Sequence, residues 1–386
     1  MKTQLEEDEG VASVPSAMTK PSLTVLDRAV PISLATMKLI NRGVESLWTR
    51  IVEARPLANS RPLLLSYDVH PTTDGPVLIE VNTNAGGILT AMQAARHANE
   101  CCADWEYDEL EERLLALFRR DLLGQDKQRT GIVAIVDDHL ASQPLLGEMH
   151  ELGNLLRPHA QDVLVVDAGD LDYRDGRLRH LDRSIDRVYW RSTDFLLSDP
   201  VHTAVRQAVH DGSIVLAPSP EAYEAIADKR RFVDWSKQPD LARDDVMGLT
   251  FRVAETVPFG EKPVADWYAQ RSEWVFKPVS GYGSRGVYVG KSISRLKLAK
   301  LPADAYLAQR YAPHPIMDRD GKEWKYDVRF FADRGHVIGA AARVFHGQVV
   351  GMRNPGSGFA PIRVGATCCL VGALAAAQSR DYSQCE

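Results

Sequence analysis

Leu65-Ser66-Tyr67-Asp68-Val69-His70 and Val77-Leu78-Ile79-Glu80-Val81-Asn82-Thr83-Asn84-Ala85-Gly86-Gly87 are two apolar runs joined by Pro71-Thr72-Thr73-Asp74-Gly75-Pro76. Short apolar runs bounded by turn formers predict paired strands. Glu80 and Asn82 are two residues apart and project from one face of their strand. A hairpin would bring Asp68 alongside them. Two carboxylates and an amide oxygen converging in this way form an all-oxygen site of the kind that suits Mg²⁺. Gly86-Gly87 would let the backbone turn closely around a ligand. The competing reading is a surface hairpin whose polar residues face water.

The chain has 386 residues, enough for two or three domains with sizeable cores. A hydrophobic share of 45% and a charged share of 25% are ordinary for a globular protein. The net charge of -6 gives no electrostatic footprint for nucleic acid. No apolar run has the roughly 20 residues of a membrane span. Five cysteines in adjacent pairs (Cys101-Cys102, Cys368-Cys369) plus Cys385 match neither a disulfide framework nor a zinc spacing. They read as small buried hydrophobes. The N-terminus is acidic, unlike a signal peptide, and a cytoplasmic location is expected.

Taken in order, residues 1–20 are expected to be disordered or loosely attached. Leu34, Met37, Ile40, Val44, Leu47 and Ile51 recur in steps of three and four, which predicts a helix over 31–54 with Leu39 off its apolar face. Further helices are predicted at 88–97 and 107–123. Residues 21–127 thus combine helices with the hairpin. From Gly131 the runs 132–136, 163–167, 188–190 and 214–217 alternate with helical patterns at 145–156 and 201–209. This predicts a doubly wound α/β domain over 128–220. It has no Gly-x-Gly-x-x-Gly turn, which argues against dinucleotide binding there.

Residues 222–235 read as a helix with Asp228 and Lys229 in its middle, and 236–262 as irregular or mixed. Strand 274–278 runs into the glycine loop Ser280-Gly281-Tyr282-Gly283-Ser284-Arg285-Gly286, followed by strands at 287–289 and 306–311. A meander is predicted from 326–332, 336–345 and 348–352. A short apolar tail, 366–386, closes the chain.

A glycine loop between strands can fold over phosphates, and its alternative is a plain hairpin turn. It does not match a P-loop. Lys277, just before it, can neutralise a nucleotide phosphate, and Lys229 could add a second cation. Asp327 and Arg329 alternate on one strand, with Arg343 on the next and Arg353 beyond. Arginines facing a sheet interior are costly unless they meet anions.

These residues together resemble the ATP-grasp ligases. Asp228-Lys229, Lys277 before the loop 280–286, the strand 307–311 in the adenine-hinge position, Tyr326-Asp327-Val328-Arg329 and Arg343 follow in family order. The family's Glu-x-Asn normally comes last. Here it stands far upstream as Glu80-x-Asn82, so the chain looks like a circularly permuted ATP-grasp of the eukaryotic glutathione synthetase and glutathionylspermidine synthetase type. The implied fold combines α/β and α+β parts, with ATP-grasp subdomains over 221–365 and a pre-ATP-grasp-like domain before them.

The resemblance implies an ADP-forming carboxylate–amine ligase that works through an acylphosphate, with ATP and Mg²⁺ as cofactors. Its partners would be small-molecule carboxylate and amine substrates, with no nucleic acid and no membrane. It assigns Asp68, Glu80 and Asn82 to metal and Lys229 and Lys277 to phosphates. Ser280, Gly281, Tyr282, Gly283, Ser284 and Gly286 would cover the phosphates, and Gln309 and Tyr311 would read adenine. Arg329 and Arg343 would stabilise the γ-phosphate or acylphosphate. Two positions depart from the pattern: Arg310 where the hinge commonly has an acidic residue, and Ser66 where the two synthetases carry an arginine. The alternatives are a non-catalytic ATP-binding regulatory or assembly protein and a kinase-like phosphoryl transferase.

Overall fold

The computed structural model describes residues 24–26, 28–55, 57, 60–98, 109–124, 130–280, 286–319, 321–352 and 354–365. The expectations for 1–20, 366–386, Tyr107, all five cysteines, Arg353 and the loop residues Gly281, Tyr282, Gly283 and Ser284 lie outside them.

The hairpin forms as Leu65–Thr72 against Gly75–Asn82, antiparallel, with Asp68 opposite Glu80 and Ser66 opposite Asn82. It occupies the middle of a nine-stranded sheet. The order is Thr24–Val25, Gly358–Ala360, His336–Phe345, Lys322–Asp333, Leu65–Thr72, Gly75–Asn82, Leu249–Val253 and Asp240–Asp244, with Ile316–Arg319 paired onto Lys322–Asp333. Residues far apart in the chain therefore share one surface. Alternation explains why one face is apolar: Tyr67, Val69, Leu78, Val81, Val328 and Phe330 join one core cluster. The helix Leu34–Ala54 buries Met37, Ile40, Val44, Leu47 and Ile51 in that cluster. Leu39, expected off the face, is fully buried too, because sheet strands and the pair Val30–Ser33/Ile362–Gly365 surround the helix on more than one side. Ser33 caps this helix by accepting the Thr36 N–H at 3.0 Å, which contributes about 1 kcal/mol.

A second sheet is fully parallel, in the order Val215–Ala217, Arg187–Trp190, Thr130–Asp137, Ala160–Asp167. Its central strand alternates between two cores. Val133 and Ile135 pack toward the helix Leu146–Leu156, and Ala134 and Val136 toward the helix Thr203–His210. Helices cover both faces, as continuous apolar strands require. A three-stranded antiparallel insertion, Leu171–Arg174, Arg177–His180 and Arg183–Ile185, was not foreseen. Its strands are short and rich in exposed charge, so they carry no clear period.

A third sheet pairs Thr256–Pro258, Tyr306–Arg310, Trp274–Pro278 and Tyr288–Val289 over a small aromatic core around Phe259, Trp267, Trp274 and Phe276. Two expectations need correction. Residues 236–262 contain three strands, Asp240–Asp244, Leu249–Val253 and Thr256–Pro258. Gln348–Met352 forms no strand; the meander closes instead with Gly358–Ala360 against His336–Phe345. The Gly351–Ser357 turn region, where Asn354 and Ser357 N–H groups bond back along the chain, delays the return.

Candidate active site

Register builds the site. Arg343 stands directly opposite Asp327, and Arg329 directly opposite Asp68. With Asp68 opposite Glu80, a row of charged residues crosses four adjacent strands on one face. Arg329 grips Asp68 with two parallel bonds, Nε to Oδ1 at 2.8 Å and Nη2 to Oδ2 at 2.9 Å. Arg343 grips Asp327 in the same way at 2.8 and 2.6 Å, and its Nη2 also lies 2.8 Å from Asp68 Oδ2. Asp68 and Asp327 are fully buried, so these paired geometries offset the desolvation of both charges. Burial alone would raise the Asp68 carboxyl; Arg329 and Arg343 outweigh it and hold the group at about 2.

Two lysines arrive from other segments. Lys229 Nζ is 3.4 Å from Glu80 Oε1. Lys277, at the end of Trp274–Pro278, donates to the Ile79 carbonyl at 3.1 Å and so links the small sheet to the large one. Burial, reinforced by Lys229, pulls the Lys277 ammonium down to about 8 against the attraction of Glu80 and Asp68. Glu80 is also lowered: Lys229 and Lys277 together overcome its burial.

Asp228 and Lys229 do not lie mid-helix as expected. A π-helical turn, Tyr223–Ala227, ends there, and Arg231–Trp235 begins a new helix. Asp228 accepts from its neighbour Arg230, through both backbone N–H and guanidinium, and this fixes the kink that presents Lys229.

The donor set near Glu80 accommodates a hard cation in part. Asn82 Nδ2 donates to Ser66 Oγ at 3.2 Å and Asp68 Oδ2 at 3.4 Å, and among the described residues its amide oxygen takes no hydrogen bond. Ser66 thus supports Asn82. Asp68 has both oxygens in arginine bonds. Among the described residues, no three His, Cys, Asp or Glu side chains form a metal cluster.

Of the loop, Ser280 is exposed and Gly286 adopts φ +72°, its carbonyl accepting from the Tyr306 hydroxyl at 3.1 Å. In the hinge, Gln309 is buried and donates to Thr256 Oγ1 at 3.2 Å, while the Tyr311 N–H is taken by the Glu273 carbonyl at 2.7 Å. Arg310 turns outward to Glu255 and Glu273 and lies 4.4 Å over the Trp274 ring, so its charge stabilises the outer surface.

The glycine pair has a packing reason. Gly87 adopts φ +99°, and a Cβ there would come within 2.3 Å of Phe359 Cζ. A Cβ on Gly86 would come within 2.4 Å of Leu145 Cδ1 and 2.6 Å of Arg191 Nη2. The pair therefore closes against protein neighbours. The Gly86 carbonyl accepts from Arg329 at 3.2 Å, and Glu148 accepts the N–H groups of Gly87 and Leu89 at 2.8 and 3.2 Å.

Sequence reasoning missed Arg191. It follows the strand Arg187–Trp190 immediately, at the point where the parallel sheet reverses its strand order beside Thr130–Asp137. Crevices at the carboxyl ends of such strands are the usual ligand positions of open α/β sheets. Arg191 is buried, bonds to Asn84 Oδ1 (2.7 Å) and the Tyr189 hydroxyl (2.9 Å), and its Nε has no hydrogen-bond partner among the described residues. Asp137, raised to about 6 chiefly by burial, ends the neighbouring strand. The available signal was a charged residue directly after Val188-Tyr189-Trp190.

The protein is thus a mixed α/β chain with a polar row between its large and small sheets. It has the fold of a solved structure from Methylobacillus flagellatus KT that is provisionally named a gamma-glutamylcysteine synthetase: 13% identity, TM-score 0.50, 87% of this chain and 90% of that one covered. A structure of the ATP-grasp ligase PsnB with a phosphomimetic variant of its minimal precursor, Mg and ADP is also similar, at 14% identity and TM-score 0.34 over 58% of this chain and 77% of that one. No protein-family model and no curated protein sequence matches the chain. No helix among the described residues is long and apolar enough to cross a membrane.

Proposed function

We propose that the chain is an ADP-forming carboxylate–amine ligase with a circularly permuted ATP-grasp fold, using ATP and Mg²⁺. The observation that carries this reading is the convergence of Lys229, Lys277, Arg329 and Arg343 onto the hairpin of Asp68, Glu80 and Asn82, the lysines at Glu80 and Ile79 and the arginines at Asp68. Among the described residues of the row, four cations stand against the three carboxylates Asp68, Glu80 and Asp327, a positive balance suited to a polyphosphate.

In the reaction, a substrate carboxylate oxygen attacks the γ-phosphorus of ATP and ADP leaves. The amine then attacks the acyl carbon, and phosphate leaves with loss of a proton. Lys229 and Lys277 hold phosphate oxygens, and the glycine loop that follows Lys277 in the sequence is assigned to cover them. Arg329 faces the transferring group, and Arg343, clamped by Asp327 and Asp68, keeps Arg329's anchor charged and fixed. Glu80 and Asn82 would hold Mg²⁺, with Asp68 beside them already shared with Arg329 and Arg343. When bound, the ion neutralises charge on the transferring phosphoryl group. Arg191 suits the substrate acid: its hydrogen bonds go to neutral groups, its Nε has no hydrogen-bond partner among the described residues, and the carboxylates Glu148 and Asp137 act on it only without hydrogen bonds. Asp137, across the same strand ends, suits the amine.

The test is ADP release from Mg-ATP with panels of acids and amines. Release that requires both, with one amide formed per ADP, supports the ligase. Nucleotide binding with no release from any pair would instead favour the regulatory reading.

A further inference from the structure

His202 immediately precedes the helix Thr203–His210, has no bond to the phosphate site among the described residues, and is only 1% exposed. Its Nε2 lies 2.7 Å from Asp138 Oδ1 and its Nδ1 2.8 Å from Asp194 Oδ2. Carboxylates only accept, so both bonds require both ring nitrogens to carry protons. A neutral imidazole has one N–H and can serve one carboxylate only.

The two carboxylates belong to different segments. Asp138 follows the strand Thr130–Asp137, and Asp194 lies in the loop that starts at Arg191. Ser192 donates to Asp138 Oδ2 at 2.5 Å, Asp194 also accepts the Asp199 N–H at 2.7 Å, and Arg206 reaches the Leu197 carbonyl. The Trp190 ring closes the imidazole edge-on at 4.8 Å. Two further titratable groups face Asp138: Asp137, which accepts the Asp138 N–H at 2.8 Å, and His139. At the far end of the loop segment, Phe195 stacks on Tyr223 at 4.4 Å and 8°, and Tyr223 opens the turn that presents Lys229.

We propose that His202 is a positioning residue: its imidazolium clamps the loop 191–199 to the end of strand 130–137 and so sets Arg191 and Phe195 over the crevice. What the loop positions rests on the ligase reading above; the clamp itself does not. The acceptors Asp138 and Asp194 hold the imidazolium, raising His202 above its ordinary value against its burial. The clamp is complete below the ordinary histidine value of about 6.5 and is lost as pH rises through the raised one.

The experiment is NMR of ¹³C,¹⁵N-histidine protein, with the His202 signal assigned by its loss in His202→Gln. Amide exchange at 192–199 is followed over the same pH range and corrected for intrinsic rates. His202 should be doubly protonated at pH 7, and its titration should move down in Asp194→Asn. Loop protection should fall about tenfold or more across that titration. His202→Gln should show the unprotected pattern at every pH while its Mg-ATP affinity stays within about twofold of wild type. A neutral His202 ring at pH 7, or equal loop protection in His202→Gln and wild type, overturns the proposal. Both readouts need no acid or amine, so a failed substrate screen would overturn the ligase reading without touching the clamp.

Discussion

Lys229 and Glu80 meet at 3.4 Å, and their contact ties the segment after a π-helical turn to the middle strand of the large sheet. Glu80 is the one carboxylate of the polar row with substantial exposure, its side chain 30% accessible, whereas Asp68 and Asp327 are sealed by arginines. The row therefore divides into a fixed part, made by the arginines and their carboxylates, and an open part, made by Glu80, Asn82 and the lysines.

That division makes Glu80→Gln informative. The amide keeps size and removes the charge that attracts a hard dication and Lys229. Leu78 and Val81 stay buried, so the fold should hold, with melting lowered modestly because Lys277 and Lys229 lose an attracting charge. ADP release with an active acid–amine pair should fall about a hundredfold or more, roughly 3 kcal/mol of transition-state stabilisation. Release within a few-fold of wild type at saturating Mg²⁺ would remove Glu80 from the site.

Asp68→Asn should cost far more stability. It leaves Arg329 and part of Arg343 buried without their shared anion, which costs about 3 kcal/mol or more in denaturant unfolding. The sign with pH follows from a carboxyl held down at about 2. Its contribution is full above the ordinary aspartate value of about 3.9 and is lost as pH falls through the lowered one. Wild type should thus lose its advantage over Asp68→Asn between those values; a constant difference would count against the arginine pairing.

Lys277 sets a second pH dependence, now on binding. Its ammonium, lowered to about 8 by burial, is charged below that pH and neutral above it. Mg-ATP affinity measured by calorimetry should weaken as pH rises through 8, with proton uptake on binding near and above that pH, since phosphate favours the charged form. Lys277→Arg should remove the proton uptake, because a guanidinium stays charged throughout.

The sequence revealed the parts of this arrangement that depend on a period of two. Alternation placed Glu80 with Asn82 and Asp327 with Arg329, and the apolar runs at 132–136 and 163–167 are strands of the parallel sheet. It could not reveal which strands would be neighbours. The pairing of Asp68 with Arg329 and Asp327 with Arg343 is a consequence of register between distant segments. Lys229 was read onto a helix because its flanks are helical in pattern, and the local Asp228–Arg230 bonds that break the helix carry no periodic signal. His202 and Arg191 were passed over because a single polar residue beside an apolar run does not reveal its burial.

The last prediction separates the acid-binding crevice from the phosphate site. Arg191→Gln keeps an amide that can still meet Asn84 or Tyr189 but removes the buried charge beside Gly86. Removing the charge relieves its desolvation but also takes away its attraction to Glu148 and Asp137, which with Tyr189 outweighs burial, so melting should fall modestly. Mg-ATP affinity should be unchanged, since Lys229 and Lys277 remain. The loss should fall on KM for the acid, by about thirtyfold or more, the equivalent of one charge-assisted hydrogen bond of about 2 kcal/mol, with kcat reduced less. A structural role alone would lower melting as well but leave KM for the acid within a few-fold of wild type. An equal loss in ATP affinity would mean that Arg191 serves the nucleotide, and the crevice at the end of strand 187–190 would then have no claim to the acid.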